Sequence, residues 1–198
     1  MKNSIPIYIL VIVVILLLIS VPVLGENKGN LVFRSGVNGI GILNMDVSSW
    51  ERDLNGWTSP GPYLAAEYLY NRENIQLGAG GDFVSAQSDR EDSENFSFLN
   101  LYVLTGYNYP LEKSMINSFF LRLRTGYGFY TPPLRQRETP RLKSEGGIYF
   151  NTGVGLSYDN WELETKFAFN QAVTRDLELE EKGEISYYRM IISLGYVF

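Results

Sequence analysis

Glu162, Glu164 and Lys166 recur at every second position of one short stretch, so in an extended chain all three project from the same face. Two carboxylates placed that way can hydrolyse a glycosidic bond if they flank a cleft that admits substrate. The alternative is a ladder of internal ion pairs with Arg122, Arg124 or Arg189, and it fits better wherever the interior is filled by the chain's own side chains. No catalytic residue is therefore assigned. Gly78-Ala79-Gly80-Gly81, Gly126-Tyr127-Gly128 and Gly153-Val154-Gly155 look like phosphate loops in composition, but none opens a helix after a buried strand. Glycines inside strands relieve crowding or permit bending instead. Asn95-Phe96-Ser97 has the form of a glycosylation acceptor, a spacing that arises readily by chance.

Composition removes most other chemistry. The 198 residues include no His and no Cys. Ser-His-Asp and Cys-His nucleophile systems, a near-neutral acid–base group, and ordinary zinc, haem or iron–sulfur sites all need one of those residues. No metal or other cofactor is expected, and no disulfide holds the fold. Lys+Arg number 17 against 22 Asp+Glu, a net charge of −5. With no basic excess to neutralise phosphates, no nucleic-acid partner is expected.

The elements that carry these residues begin after an address segment. Met1-Lys2-Asn3-Ser4 precedes an apolar run from Ile5 to Leu24 that only Ser20 interrupts with a polar group, and small Gly25 follows. This pattern predicts a signal peptide over residues 1–25, cleaved before Glu26, with Pro22 stopping the helix just ahead of the cleavage point. An uncleaved anchor is the alternative, since about 20 apolar residues can span a bilayer. Residues 26–198 then form one domain.

From Leu31 onward the hydrophobic period is two. In Phe119 to Phe129 the odd positions are apolar or aromatic apart from Thr125, and the even ones include Arg122, Arg124, Gly126 and Gly128. The same division predicts eight strands, near 31–45, 61–71, 74–86, 96–109, 117–130, 146–158, 160–172 and 185–198. Short connections at Asn71 to Asn74, Pro110 to Ile116 and Asp159-Asn160 alternate with long polar ones at 46–60, 87–95, 131–145 and 173–184. That is the layout of an all-β, eight-stranded antiparallel up-and-down barrel.

The distribution of charge decides whether such a barrel sits in water or in lipid. One face of the strands carries Arg34, Glu67, Asp82, Arg122, Arg124, Glu162, Glu164, Lys166 and Arg189, interleaved with glycines. Turned toward lipid, each Arg or Lys near mid-bilayer costs about 2–4 kcal/mol. Turned inward, five basic and four acidic groups nearly balance, as a closed polar interior requires. The other face is then a transmembrane surface, and its aromatics sort into two girdles. Tyr70, Tyr107, Tyr109, Phe119, Tyr158, Trp161, Tyr196 and Phe198 lie at the short-turn end. Phe83, Tyr127, Phe129, Phe150, Phe169 and Tyr188 lie toward the long loops.

On these residues, Leu31 to Phe198 resembles the small eight-stranded outer membrane proteins, a superfamily that includes outer membrane protein X and the transmembrane part of outer membrane protein A. The most specific element is the last strand, Tyr188 to Phe198, which alternates and stops on a terminal Phe with Tyr196 two before it. The resemblance implies residence in the outer membrane of a double-membraned bacterium, export through the inner membrane, and outer membrane lipids as surroundings. It also implies that Tyr196 and Phe198 form the signal read by the barrel assembly machinery. A monomeric, non-enzymatic barrel is expected, in a structural or surface-interaction role. A narrow channel or hydrophobic-solute conduit, resembling outer membrane protein W, is the alternative. A lipid-modifying barrel enzyme is a third class, but the catalytic sets of those families include a His that this chain lacks.

Any partner of such a barrel is met at the long loops. The loop over 131–145 carries Arg135, Arg137, Arg141 and Lys143 against Glu138 and Glu145, a net +2. Its neighbours over 87–95 and 173–184 are each −3. The basic loop is held by these acidic neighbours, or its four cations contact phosphates of the outer leaflet or an anionic surface glycan.

Overall fold

Alternation between apolar and polar side chains makes each segment a two-faced strand, and the computed structural model pairs these strands into one sheet. It describes residues 29–47, 56–88, 95–111, 115–131, 142–176 and 182–198. The signal peptide expected over 1–25 lies outside the described residues. Among the described residues ten strands follow in order: β1 (Asn30–Val47), β2 (Gly56–Ser59), β3 (Gly61–Arg72), β4 (Ile75–Ser88), β5 (Asn95–Pro110), β6 (Ser118–Thr131), β7 (Leu142–Glu145), β8 (Gly147–Tyr158), β9 (Trp161–Asp176) and β10 (Lys182–Val197).

Two of the divisions are interruptions within one wall strand. β2 and β3 both lie between β1 and β4, separated only by Pro60, which has no N–H to give the ladder. β7 and β8 both pair with β9, separated only by Gly146. The ten segments thus make eight wall strands, every pairing antiparallel, and β10 pairs with β1 to close the sheet on itself. Closure removes the exposed edges that an open sheet would carry.

The tight turns lie at one end. Arg72 pairs with Ile75 and Tyr158 with Trp161, which leaves two-residue connections in which Glu73 and Asp159 adopt φ of 56° and 49°. Positive φ matches the twist of such hairpins. At the other end the strands run further than the sequence predicts. Gly56–Ser59, Leu142–Glu145 and the ends of β9 and β10 are strand where loop was expected. Their polar composition hides the alternation, but ladder pairing with a neighbour satisfies their backbone groups.

Large apolar side chains cover the outer face of all eight wall strands, among them Phe33, Leu64, Leu77, Val103, Leu121, Val154, Phe167 and Ile192. The two aromatic girdles lie on the same face, with Tyr107, Tyr109, Tyr158 and Trp161 exposed at the tight-turn end and Phe83, Phe150 and Tyr188 exposed further up. Apolar outside and charged inside is the arrangement of a barrel that spans a membrane.

Candidate functional site

The interior is the region where this sequence places chemistry, and it is built in layers. All nine charged residues named from the strands are buried there. Four of them close a ring of alternating sign across the lumen. Arg34 on β1 donates through Nε to Glu67 Oε2 on β3 at 2.7 Å, and Arg124 on β6 donates through Nε to the other oxygen of the same carboxylate at 2.7 Å. Arg124 also forks onto Glu164 of β9, at 2.8 and 3.0 Å, and Arg34 Nη1 lies 3.5 Å from Glu164. Because β1, β3, β6 and β9 are spread around the wall, the ring spans the barrel instead of lying along one side.

A second fork lies beside the ring. Arg122 donates from Nη1 and Nη2 to Glu162 at 2.6 and 2.8 Å, and from Nε to Gln76 of β4 at 2.8 Å. Arg34 Nη2 bonds the same Glu162, so both forks share one guanidinium. Tyr102 of β5 donates to Glu67 at 2.9 Å, and Asn151 of β8 accepts from Arg124 at 3.2 Å. Bidentate Arg–carboxylate pairs fix orientation as well as charge, which a flexible ammonium in the same place would not do.

Lys166 and Arg189 lie on aromatic rings. Lys166 donates to the Tyr63 hydroxyl at 2.5 Å and sits 4.2 Å from that ring's centroid, with Glu164 at 3.5 Å. Arg189 does not join Glu162 or Glu164. Its guanidinium lies 5.0 Å from the Tyr187 ring centroid and donates to Asn170. Asn170 donates to Asn100 at 2.5 Å, and Asn100 donates to Asp82 at 2.6 Å, so two amides connect the cation to the remaining anion. Tyr149 donates to the other Asp82 oxygen at 2.7 Å.

Toward the long-loop end an aromatic layer follows, which the sequence reading did not single out. Phe96, Phe98, Tyr130 and Tyr187 meet with ring centroids 5.2–6.3 Å apart. Strand parity is the signal that finds them, because Phe96 and Phe98 share the inward face of β5 with Asn100. Tyr187 accepts from Asn38 at 2.8 Å and bonds Thr58 at 3.2 Å, tying β10 to β1 and β2.

The remaining expectations concern the outside. Tyr196 packs edge-on against Trp161 and Phe198 at 4.9 and 4.8 Å, and Phe198 against Phe33 at 5.6 Å, all at the tight-turn end. Arg135, Arg137 and Arg141 lie outside the described residues, and Lys143 falls in β7 with its backbone opposite Arg175. Among the described residues, no group of three or more His, Cys, Asp or Glu side chains could hold a metal ion.

No protein-family model matches the chain, and no curated protein matches it. Similar solved structures include the outer membrane protein OprG from Pseudomonas aeruginosa, at 12% identity over 88% of this chain and 98% of that chain, TM-score 0.49. They also include Neisserial surface protein A, at 11% identity over 86% of this chain and 99% of that one, TM-score 0.49. A third is Ail, the attachment invasion locus protein of Yersinia pestis, at 12% identity over 86% and 99%, TM-score 0.41. By its closed ladder, charged interior and apolar outer belt, the chain has the architecture of a membrane-spanning antiparallel β-barrel of eight wall strands.

Proposed function

We propose that the protein is a non-enzymatic resident of the outer membrane whose sealed barrel serves as a rigid platform for its surface loops. The observation that carries this reading is the Arg34–Glu67–Arg124–Glu164 ring, fully buried and crossing the lumen. A hydrated ion would have to break at least one buried pair to pass, and each such pair costs about 3–5 kcal/mol to leave unmatched. The aromatic layer adds a second barrier with few polar groups to replace an ion's water.

On this reading residues 1–25 are the cleaved export address and Tyr196 with Phe198 is recognised by the barrel assembly machinery. Arg135, Arg137, Arg141 and Lys143 are the side chains offered to anionic lipid or glycan. Recording the refolded barrel in planar bilayers tests the central claim. A closed baseline at moderate voltage is expected. Steady openings of uniform conductance would establish the channel alternative instead.

A further inference from the structure

We infer that the outer wall holds one phospholipid acyl chain along a diagonal groove of about 660 Å³ on β9, β10, β1, β3, β4 and β5. The inference rests on the membrane-spanning reading and goes beyond it. A barrel's outer wall is convex, so a groove there needs a local cause. Here it lies between two rows of outward side chains that follow the cross-strand register. One row runs Trp161, Tyr196, Phe33, Ala66 and Gly81. The other runs Leu194, Ser35, Leu64, Phe83 and Leu99. Ser35, Ala66 and Gly81 are small, and they lower the floor between bulky neighbours on adjacent strands.

The direction of the groove selects its occupant. Trp161 opens β9 beside the tight turn, whereas Gly81 lies in the middle of β4, so the groove climbs from the aromatic girdle into the apolar belt. Each row crosses five strands about 4.8 Å apart and is near 19 Å long. At a strand tilt of about 40° this rises roughly 12 Å, half of an apolar band about 25 Å tall. One leaflet's acyl chain covers that height. At the lower end Asn160 donates to the Tyr196 hydroxyl at 3.4 Å, giving polar groups at headgroup level. Above them the floor is apolar apart from the Ser35 hydroxyl and backbone already paired in the ladder. The occupant is therefore a phospholipid of the leaflet on the tight-turn side, with its headgroup beside Trp161 and one chain in the groove.

The test uses the barrel refolded into phosphatidylethanolamine–phosphatidylglycerol vesicles, extracted in mild detergent and examined by native mass spectrometry. One retained phospholipid per barrel is expected. Ala66→Leu and, independently, Ser35→Leu fill the floor and should each lower that retained fraction at least fivefold, while Thr125→Leu on the outer face of β6 leaves it unchanged. Equal retention in all three variants, or equal loss in all three, overturns the inference. A dimer in the parent that becomes monomeric in the filled variants also overturns it and assigns the groove to a second copy of the chain. Insertion into vesicles is scored separately by heat-dependent gel mobility. Insertion without retained lipid refutes the groove alone, whereas failure of the parent to insert refutes the membrane-spanning reading beneath it.

Discussion

Removing the Arg124 guanidinium is the most demanding test of the interior. It donates to Glu67 at 2.7 Å, to Glu164 at 2.8 and 3.0 Å, and to Asn151 at 3.2 Å. In Arg124→Ala, Glu67 keeps Arg34 and the Tyr102 hydroxyl, whereas Glu164 keeps only Arg34 and Lys166, each at 3.5 Å. A buried pair that loses one member costs about 3–5 kcal/mol, and two carboxylates affected together place this variant near the upper figure. With a urea dependence of about 2 kcal/mol per molar, the unfolding midpoint falls by roughly 2 M. Leu123→Ala is the matched comparison, one residue away on the outer face, where hydrocarbon closes over the gap and the cost is about 1 kcal/mol or less. Both values come from urea titration of the refolded barrel in vesicles, followed by tryptophan fluorescence. Adding Glu164→Gln to Arg124→Ala should recover part of the loss, because it removes the stranded charge. A larger midpoint shift for Leu123→Ala than for Arg124→Ala would mean that β6 faces the other way, and the account of the lumen would fall with it.

Three further outcomes are expected. Gly153→Ala drives a Cβ into the Glu164 carboxylate that Arg124 holds in place, and should destabilise the barrel by about 1–3 kcal/mol; Gly56→Ala, with open space at that position, should stay within about 0.5 kcal/mol in the same titration. Phe198→Asp should reduce the heat-modifiable barrel in the outer membrane fraction more than Tyr109→Asp does, and equal amounts would remove the proposed assembly role of the terminal aromatics. Replacing Arg135, Arg137, Arg141 and Lys143 by Gln should weaken binding to anionic vesicles or glycan, most at low salt; binding that neither the substitutions nor salt alters would leave the loop as part of the rim.

Period two made the strand count legible, because a strand with one face in lipid and the other in a polar lumen has no freedom to break its alternation. Lys166 and Phe167 cannot exchange places without sending a charge into hydrocarbon. Where both faces tolerate polar groups the signal disappears. Arg175 and Glu145 form a half-exposed ion pair 3.4 Å apart where the sheet extends beyond the apolar belt, and a segment such as Leu142–Glu145 reads as loop. The inward aromatics were hidden for a different reason. Phe96 and Phe98 are apolar on a face that also carries buried charges, so composition assigns them nothing and only strict parity with Asn100 does. The partner of each charge was not legible either. Arg189 lies on the same inward face as Glu162 and Glu164, but Asn170 and Asn100 connect it to Asp82 instead, and that depends on the stagger of strands around a closed wall.

The two faces of this wall obey rules of different strictness. Inside, each long side chain must fit a fixed space and find a fixed partner. Gly195 is small where a Cβ would come within 2.7 Å of Arg34 Nη1, so the ion ring depends on what its neighbours leave out as much as on its own charges. Outside, lipid conforms to whatever relief the side chains present, so any residue that is apolar enough will serve and a dent such as that at Ala66 and Gly81 carries no penalty from an empty cavity. A barrel of this kind can therefore change its outer relief and its loops without disturbing the charges that hold it closed. Contacts with lipid and, on the proposed reading, with surface partners are free to diversify there, while the buried ion pairs stay fixed.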